Sequence, residues 1–315
     1  MASVRLILRP GTHVLRRGGG ELQVGLDPSS ALVLPATPAV IDTLRALARP
    51  AEQDAYVDPG TVELLTAHGM LLDERDVVPL LRDGETAPPV TAALARAAGP
   101  ATPRVRHARR RAHTSTRTFG HPAGAGLRRQ FLALTAAAGI REAAARRTAT
   151  VDCAILLGVG EPDRDLVDPW SRGGTPHLLV RLTEGRAVLG PFVLPGTTAC
   201  LRCVDAHCTD ADPVWPLLVR QYASLSARDR PDGAPEPVDP LLAALALAWA
   251  ARDVASYLDG ARPTTWSATV TLHPGLLSLE VQEWLRHPGC GCSWDLLDRS
   301  TPGAPATVAR RRSDR

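Results

Sequence analysis

Cys200-Leu201-Arg202-Cys203, entered through Gly190-Pro191-Phe192-Val193-Leu194-Pro195-Gly196, and His287-Pro288-Gly289-Cys290-Gly291-Cys292 carry four of the six cysteines of this 315-residue chain. A Cys-x-x-Cys pair chelates one ion from a turn, and a second close pair completes the tetrahedral four-thiolate shell of a structural Zn²⁺. Such a shell has no position for a catalytic water. The pattern therefore predicts a zinc on Cys200, Cys203, Cys290 and Cys292 that fastens the later part of the chain to its middle and takes no part in chemistry. Two other readings fit the same residues, two disulfides or four unrelated core cysteines. Cys153 lies in an apolar run and reads as buried, and Cys208, five residues past Cys203, is a possible substitute ligand.

Working outward, 44% hydrophobic residues over this length suffice for two packed domains. The sequence shows no amino-terminal charged-then-apolar signal, and its most apolar run, residues 241–250, is too short to span a bilayer, so a cytoplasmic protein with no membrane partner is expected. Paired thiols in that compartment bind metal more often than they oxidise. Every one of the 36 basic residues is arginine, and the formal net charge of +3 is too small to argue for nucleic acid. Residues 104–111 contain five arginines and a histidine, read as a solvated face or linker.

The amino-terminal part alternates apolar and polar positions at Val4, Leu6 and Leu8, then at Val14, and after a turn over residues 16–20 at Leu22, Val24 and Leu26, which is a hairpin signal. A third short strand follows at residues 31–34. Val40, Ile41, Leu44 and Leu47 fall at helical spacing, and a second helix starts at Asp58-Pro59, carries Val62 and Leu65, and stops at Gly69. Residues 1–82 thus read as a small α+β module, and residues 83–103, rich in Ala, Pro and Gly around a short helical run at 90–97, as a linker. In the larger domain, 104–298, residues 109–116 make a poor buried parallel strand, because such strands read as continuous apolar runs. The turn Gly120-His121-Pro122-Ala123-Gly124-Ala125-Gly126 does not match the dinucleotide-binding glycine fingerprint, and Pro122 removes a donor from any phosphate cradle. Residues 151–159 form the one convincing buried strand. Strands at 177–182 and 187–194, joined by a turn, come next. His207 stands beside Asp205 and Asp210, which suggests either a metal or acid–base site or a solvated helix surface, and the latter is preferred since no third catalytic partner is near in sequence. Asp212-Pro213-Val214-Trp215-Pro216 starts a helix that runs to Leu225, and the strongest helix is capped by Asp239-Pro240 and ends at Gly260. Paired strands at 267–272 and 277–284 lead to the second cysteine pair, and residues 299–315 read as a disordered tail.

The order of the first module, with Arg9-Pro10-Gly11-Thr12-His13-Val14 leading into Gly25-Leu26-Asp27-Pro28, resembles the PqqD-like winged-helix peptide-recognition element of ribosomal-peptide biosynthesis. The resemblance implies that a leader peptide adds as a strand against Ala31, Leu32, Val33 and Leu34 and packs on the following helix at Leu44, in the manner of other strand-addition modules. A module that docks only to its own chain is the alternative.

The second half, from Gly190-Pro191-Phe192 through both cysteine pairs, looks like the ThiF-like, ubiquitin-activating-enzyme-like proteins of thiazole/oxazole-modified microcin biosynthesis. That likeness implies an α/β fold in which a doubly wound domain with tetracysteine zinc follows the peptide-recognition module. It also implies a homodimer. Active members of the family adenylate a carboxylate, which needs a phosphate cradle and cationic stabilisation. This chain departs from the pattern in its glycine loop, its polar first strand and its lack of lysine. It is therefore expected to use no ATP and to act as a non-catalytic scaffold that binds a precursor leader peptide and presents the substrate to a YcaO-type cyclodehydratase. The alternatives are an adenylating enzyme and a structural or regulatory subunit.

Overall fold

The computed structural model describes residues 5–48, 57–84, 86–143, 151–277 and 279–293. It divides the chain into two units, Met1–Ala108 and Arg109–Arg315. The tail expected at 299–315 lies outside the described residues.

The first unit opens with strand β1 (Leu6–Leu8), followed by β2 (Val14–Gly18), β3 (Glu21–Val24) and β4 (Leu32–Pro35). The expected hairpin forms between β2 and β3, and β4 extends it into a three-stranded antiparallel sheet in the order β2-β3-β4. Helices α1 (Pro38–Ala48) and α2 (Pro59–Ala67) come next, the latter capped by Asp58, whose carboxylate accepts from Thr61 N at 2.8 Å. Strand β1 stands outside the hairpin and pairs instead with β5 (Leu71–Asp73). Leu22, Val24, Leu34, Leu44, Leu47, Leu65 and Met70 fill the core between sheet and helices.

Helices α3 (Glu74–Arg82), α4 (Pro88–Ala98) and α5 (Thr102–Arg111) complete this part of the chain. The linker expected at 83–103 is thus largely helical. Prolines at the first two positions of α4 open it, where their missing N–H groups cost nothing, and α4 contains the short helical run expected at 90–97. Ala95 is fully buried with Ile7, Leu72 and Val77. Nor is the arginine run a solvated face throughout. Arg106 is buried and paired with Asp83, and Arg109 is buried with a bidentate bond to Asp259 at 2.7 and 2.6 Å.

The second unit is built on a 7-stranded mixed sheet. Its elements in chain order are β6 (His113–Gly120), α6 (Leu127–Ala137), β7 (Arg141–Glu142), β8 (Cys153–Val159), α7 (Asp168–Arg172), β9 (His177–Thr183), β10 (Arg186–Val193), α8 (Leu201–Ala211), α9 (Trp215–Leu225), α10 (Pro240–Leu258), β11 (Ala268–Leu272) and β12 (Leu279–Glu283). Across the sheet the order is β12-β11-β10-β9-β8-β6-β7, parallel from β7 to β9 and antiparallel from β9 to β12. Alternate residues of β8 face opposite layers. Ile155, Leu157 and Val159 pack with Phe131 of α6 and Leu247 of α10, while Ala154 and Leu156 pack with Trp170 of α7 and Leu201 of α8. Both faces are therefore covered by helices. Helix α10, with 19 residues, is long and apolar enough to cross a membrane by length and composition; its buried side chains, including Ala246, Leu247, Ala250 and Val254, pack on the sheet.

Strand β6 corrects the expectation from its polar sequence. It pairs with β8 from Thr114 to Gly120. Thr114 and Thr116 are buried, and their hydroxyls are satisfied by β7: Thr114 Oγ1 donates to Arg141 O at 3.0 Å, and Thr116 donates its N–H and its hydroxyl to the two oxygens of Glu142 at 2.9 and 3.0 Å. β-Branched threonine suits a strand when its hydroxyl finds a partner.

Candidate metal centre

The approach to the first cysteine pair is fixed by local hydrogen bonds. Thr198, almost fully buried, accepts from Leu194 N at 2.7 Å, and Ala199 N donates to Ser267 Oγ at 2.8 Å. Cys200 then occupies the N-cap of α8 in extended backbone, and Cys203 lies in its first turn. Between them Arg202 points outward and grips the Asp168 carboxylate with two bonds of 2.7 Å, which hold that carboxyl below the usual carboxylate range. The second pair follows β12, where Cys290 N closes a turn onto His287 O at 3.0 Å and Arg286 donates to Cys292 O.

These segments bring all four expected sulfurs together. Cys200 Sγ lies 3.7 Å from Cys203 Sγ, 3.7 Å from Cys290 Sγ and 3.5 Å from Cys292 Sγ, and Cys203 and Cys292 are 3.3 Å apart. A tetrahedron with Zn–S bonds of about 2.3 Å has S···S edges of about 3.8 Å, while a disulfide needs about 2.05 Å. All six cysteines are free thiols, so the disulfide reading is set aside, and so is that of four unrelated cysteines. Hydrogen bonds from the Cys200 and Cys290 thiols pull Cys203 down to about 6, while hydrogen bonding to Cys203 raises Cys200. Thiols gathered this closely favour a bound cation, which compensates the charge of their thiolates. Val193, Ala199 and Trp284 wall it in. This buried four-cysteine group could hold a metal ion such as Zn²⁺. Cys208 is half-buried and outside the group, and Cys153 is fully buried in β8, where desolvation pushes its thiol up.

A second polar constellation lies where the parallel strands end. After β6 the chain turns at Gly120, where a Cβ would come within 1.8 Å of Val159 O, and Gly160, at φ 90°, would drive a Cβ into Ser226 Oγ at 2.2 Å. The mouth of this crevice is thus filled by Ser226 and by His121, which is buried and bonded through Nε2 to Asp229 at 2.9 Å. Beside it runs an alternating ion-pair chain. Arg164 meets both oxygens of Asp205 at 2.8 and 2.7 Å and Glu161 at 2.8 Å, and Arg181 meets the other oxygen of Glu161 at 2.7 Å. Burial opposes the charge on Arg164, but bonds and attraction from Asp205 and Glu161 outweigh it and raise its pKa. This network was not legible in the sequence, since its members are spread over residues 161–205.

In the first unit, Leu34 and Leu44 are core residues at 4% and 2% exposure, whereas Val33 is exposed and Ala31 and Leu32 are partly so. A groove of about 620 Å³ is lined by Val14, Arg16, Leu22, Ile41, Leu44 and Arg45, so Leu44, expected to contact the peptide, borders it.

No family model matches the chain, and no curated protein sequence matches it. Solved structures do. The heterocyclase TruD superposes with a TM-score of 0.68 at 19% identity over 94% of this chain, and a heterocyclase in complex with substrate and cofactor with 0.67 at 17% over 92%. The fold is shared with these heterocyclases and with E. coli MccB. MccB, solved with MccA, superposes with a TM-score of 0.59 at 13% identity over 92% of this chain and 99% of its own length; a structure of MccB with ATP matches similarly. The chain spans less than half the length of the heterocyclases, 44% and 40%.

Proposed function

We propose that this chain is a leader-peptide-binding scaffold that presents a ribosomal precursor peptide to a partner YcaO-type cyclodehydratase, with the chemistry on the partner. The observation that carries the reading is strand β4, which among the described residues is paired on one side only, with β3. Its outer side offers main-chain donors and acceptors to an extended peptide. Such a peptide would run beside Ala31, Leu32 and Val33, with Leu34 and Leu44 holding strand and helix together beneath it. In this reading the first unit is a PqqD-like winged-helix module and the second a degenerate ThiF-like domain stapled by Zn²⁺, working as a cytoplasmic homodimer. Likeness to heterocyclases over 92–94% of the chain supports a role in peptide modification. Binding of this kind raises the local concentration of substrate at the partner's active site without a catalytic residue here. Fluorescence anisotropy with labelled precursor leader peptides tests it. Val33→Pro, which removes a main-chain donor and distorts the edge, is expected to weaken binding at least about tenfold, and unchanged binding would reassign the peptide to the groove beside Arg16 and Ile41 or remove it.

In this reading Arg164 and Arg181 serve the structure of the second unit, through their ion pairs with Glu161 and Asp205. One observation favours a second reading, an adenylating enzyme: the chain spans 99% of the MccB that was solved with ATP. Calorimetric titration of the zinc-loaded protein with Mg·ATP separates the two. Absence of saturable heat at millimolar ATP supports the scaffold, and near-stoichiometric binding would establish the enzyme reading.

A further inference from the structure

Helix α8 carries Cys203, His207 and Asp210 at i, i+4 and i+7, which places all three on one face. The segment that brings Cys290 to Cys203 also brings His287 to this face. One ring nitrogen each of His207 and His287 and a carboxylate oxygen of Asp210 lie within 4.8 Å of one another. We infer that these three residues form a second divalent-cation site, one helical turn beyond the tetracysteine cluster and built by the same two segments.

At His207 the local hydrogen bonding is that of a prepared ligand. His207 donates its Nε2–H to the Leu285 carbonyl at 2.9 Å, which leaves Nδ1 with the lone pair; a ligating imidazole is commonly oriented by such a bond to a backbone carbonyl. His287 Nδ1 accepts from Gly289 N at 3.0 Å, so its Nε2 carries the hydrogen and donates it to Asp210 Oδ2 at 2.9 Å. A cation bound at His287 Nε2 would replace this hydrogen bond to Asp210, with the ring hydrogen shifting to Nδ1 and the bond from Gly289 N released. The rings of His207 and His287 meet edge to face at 4.8 Å, and Trp284 lies 5.9 Å from His207, which restricts both imidazoles. Two imidazoles and one carboxylate suit Zn²⁺ or Co²⁺ rather than Mg²⁺ or Ca²⁺. Three protein donors, with Asp210 exposed, leave the fourth position to water, so this site is open where the thiolate cluster is closed.

The test uses the full chain with the tetracysteine cluster already loaded with zinc. Calorimetric titration with Zn²⁺, and in parallel with Co²⁺ read by its visible bands, is expected to show one further equivalent per chain, whose Co²⁺ spectrum lacks thiolate charge-transfer absorption. His207→Ala is expected to remove that equivalent while the first zinc stays bound. Asp210→Asn changes a solvent-facing side chain of the same size and is expected to weaken it at least about tenfold, which keeps the test decisive if the histidine variant folds poorly. Failure of the wild-type chain to take a second equivalent, or uptake at unchanged affinity by both variants, would overturn the assignment and reduce the cluster to a His–Asp pair that seats the 285–290 turn.

Discussion

The tetracysteine cluster and the crevice at the parallel-strand ends are both buried polar constellations in one unit, and they differ in what completes them. In the crevice every charge meets its opposite: Asp205, Arg164, Glu161 and Arg181 alternate in sign, each within 2.8 Å of the next. In the cluster four sulfurs converge on one another, all of a kind that becomes anionic, with no cationic side chain among them. Alternation is self-sufficient, whereas convergence of like groups asks for an ion. The lesson is to look for ligands where buried groups of one sign meet, rather than where charges are most numerous.

The largest expected effect breaks the convergent side. Cys203→Ser should remove the zinc equivalent of the four-thiolate cluster, measured by metal analysis after gel filtration, and forfeit a large part of the ~10–16 kcal/mol that structural zinc supplies to small zinc peptides. A melting curve indistinguishable from wild type would remove the staple. Next comes the alternating side. Arg164→Leu leaves Glu161 and Asp205 facing each other without their shared cation and is expected to cost about 3–5 kcal/mol in urea denaturation.

His177 sharpens the comparison as a buried polar group of neither type. Its Nδ1–H donates to Thr175 O at 2.9 Å, and its Nε2 has no partner, so desolvation lowers its pKa from 6.5 to about 4. The unfolded chain therefore takes up a proton between pH 6.5 and 4 that the folded chain refuses. Stability from this residue is complete above pH 6.5 and falls by about 3 kcal/mol as the pH drops to 4. Comparison of wild type with His177→Gln over that range isolates it, and parallel curves would refute it. The smallest effect concerns Asp229, whose side chain is 76% exposed beside His121. Asp229→Ala is expected to change stability by no more than about 1 kcal/mol at neutral pH, and a larger loss would mean that the crevice mouth depends on this pair.

Much of this was legible where the governing contacts are local. Asp58 and Asp239 cap the helices they were expected to cap, and the turns after β9 and β11 fall where the sequence puts them. The four cysteines were legible because each pair is compact and thiols have few other uses. What escaped was set by distant partners. Strand β6 looked too polar because Glu142, which satisfies Thr116, lies 26 residues away. Arg109 looked solvated because Asp259 lies 150 residues on, and His207 looked isolated because His287 arrives from a separate segment. At residues 83–103 the helical run at 90–97 was legible, but alanine and proline mark either a linker or a packed helix, and only the burial of Ala95 decides between them.

The sulfur contact between Cys200 and Cys290 spans 90 residues, and α8, α9, α10, β11 and β12 all fall between them. With an ion in place, that stretch becomes a closed ring in which α10 is threaded against the sheet. Loop-closure entropy rises only as about (3/2)RT ln n, so tying a ring this large costs little more than tying a short one. Timing matters more than energy. During synthesis the ring cannot close until Cys292 has emerged, so the strands β6, β8, β9 and β10 must pair unaided, and the ion acts as a late lock on a sheet already built. Chelation of the mature protein should accordingly loosen the stretch after Cys200 first and leave the parallel strands for last.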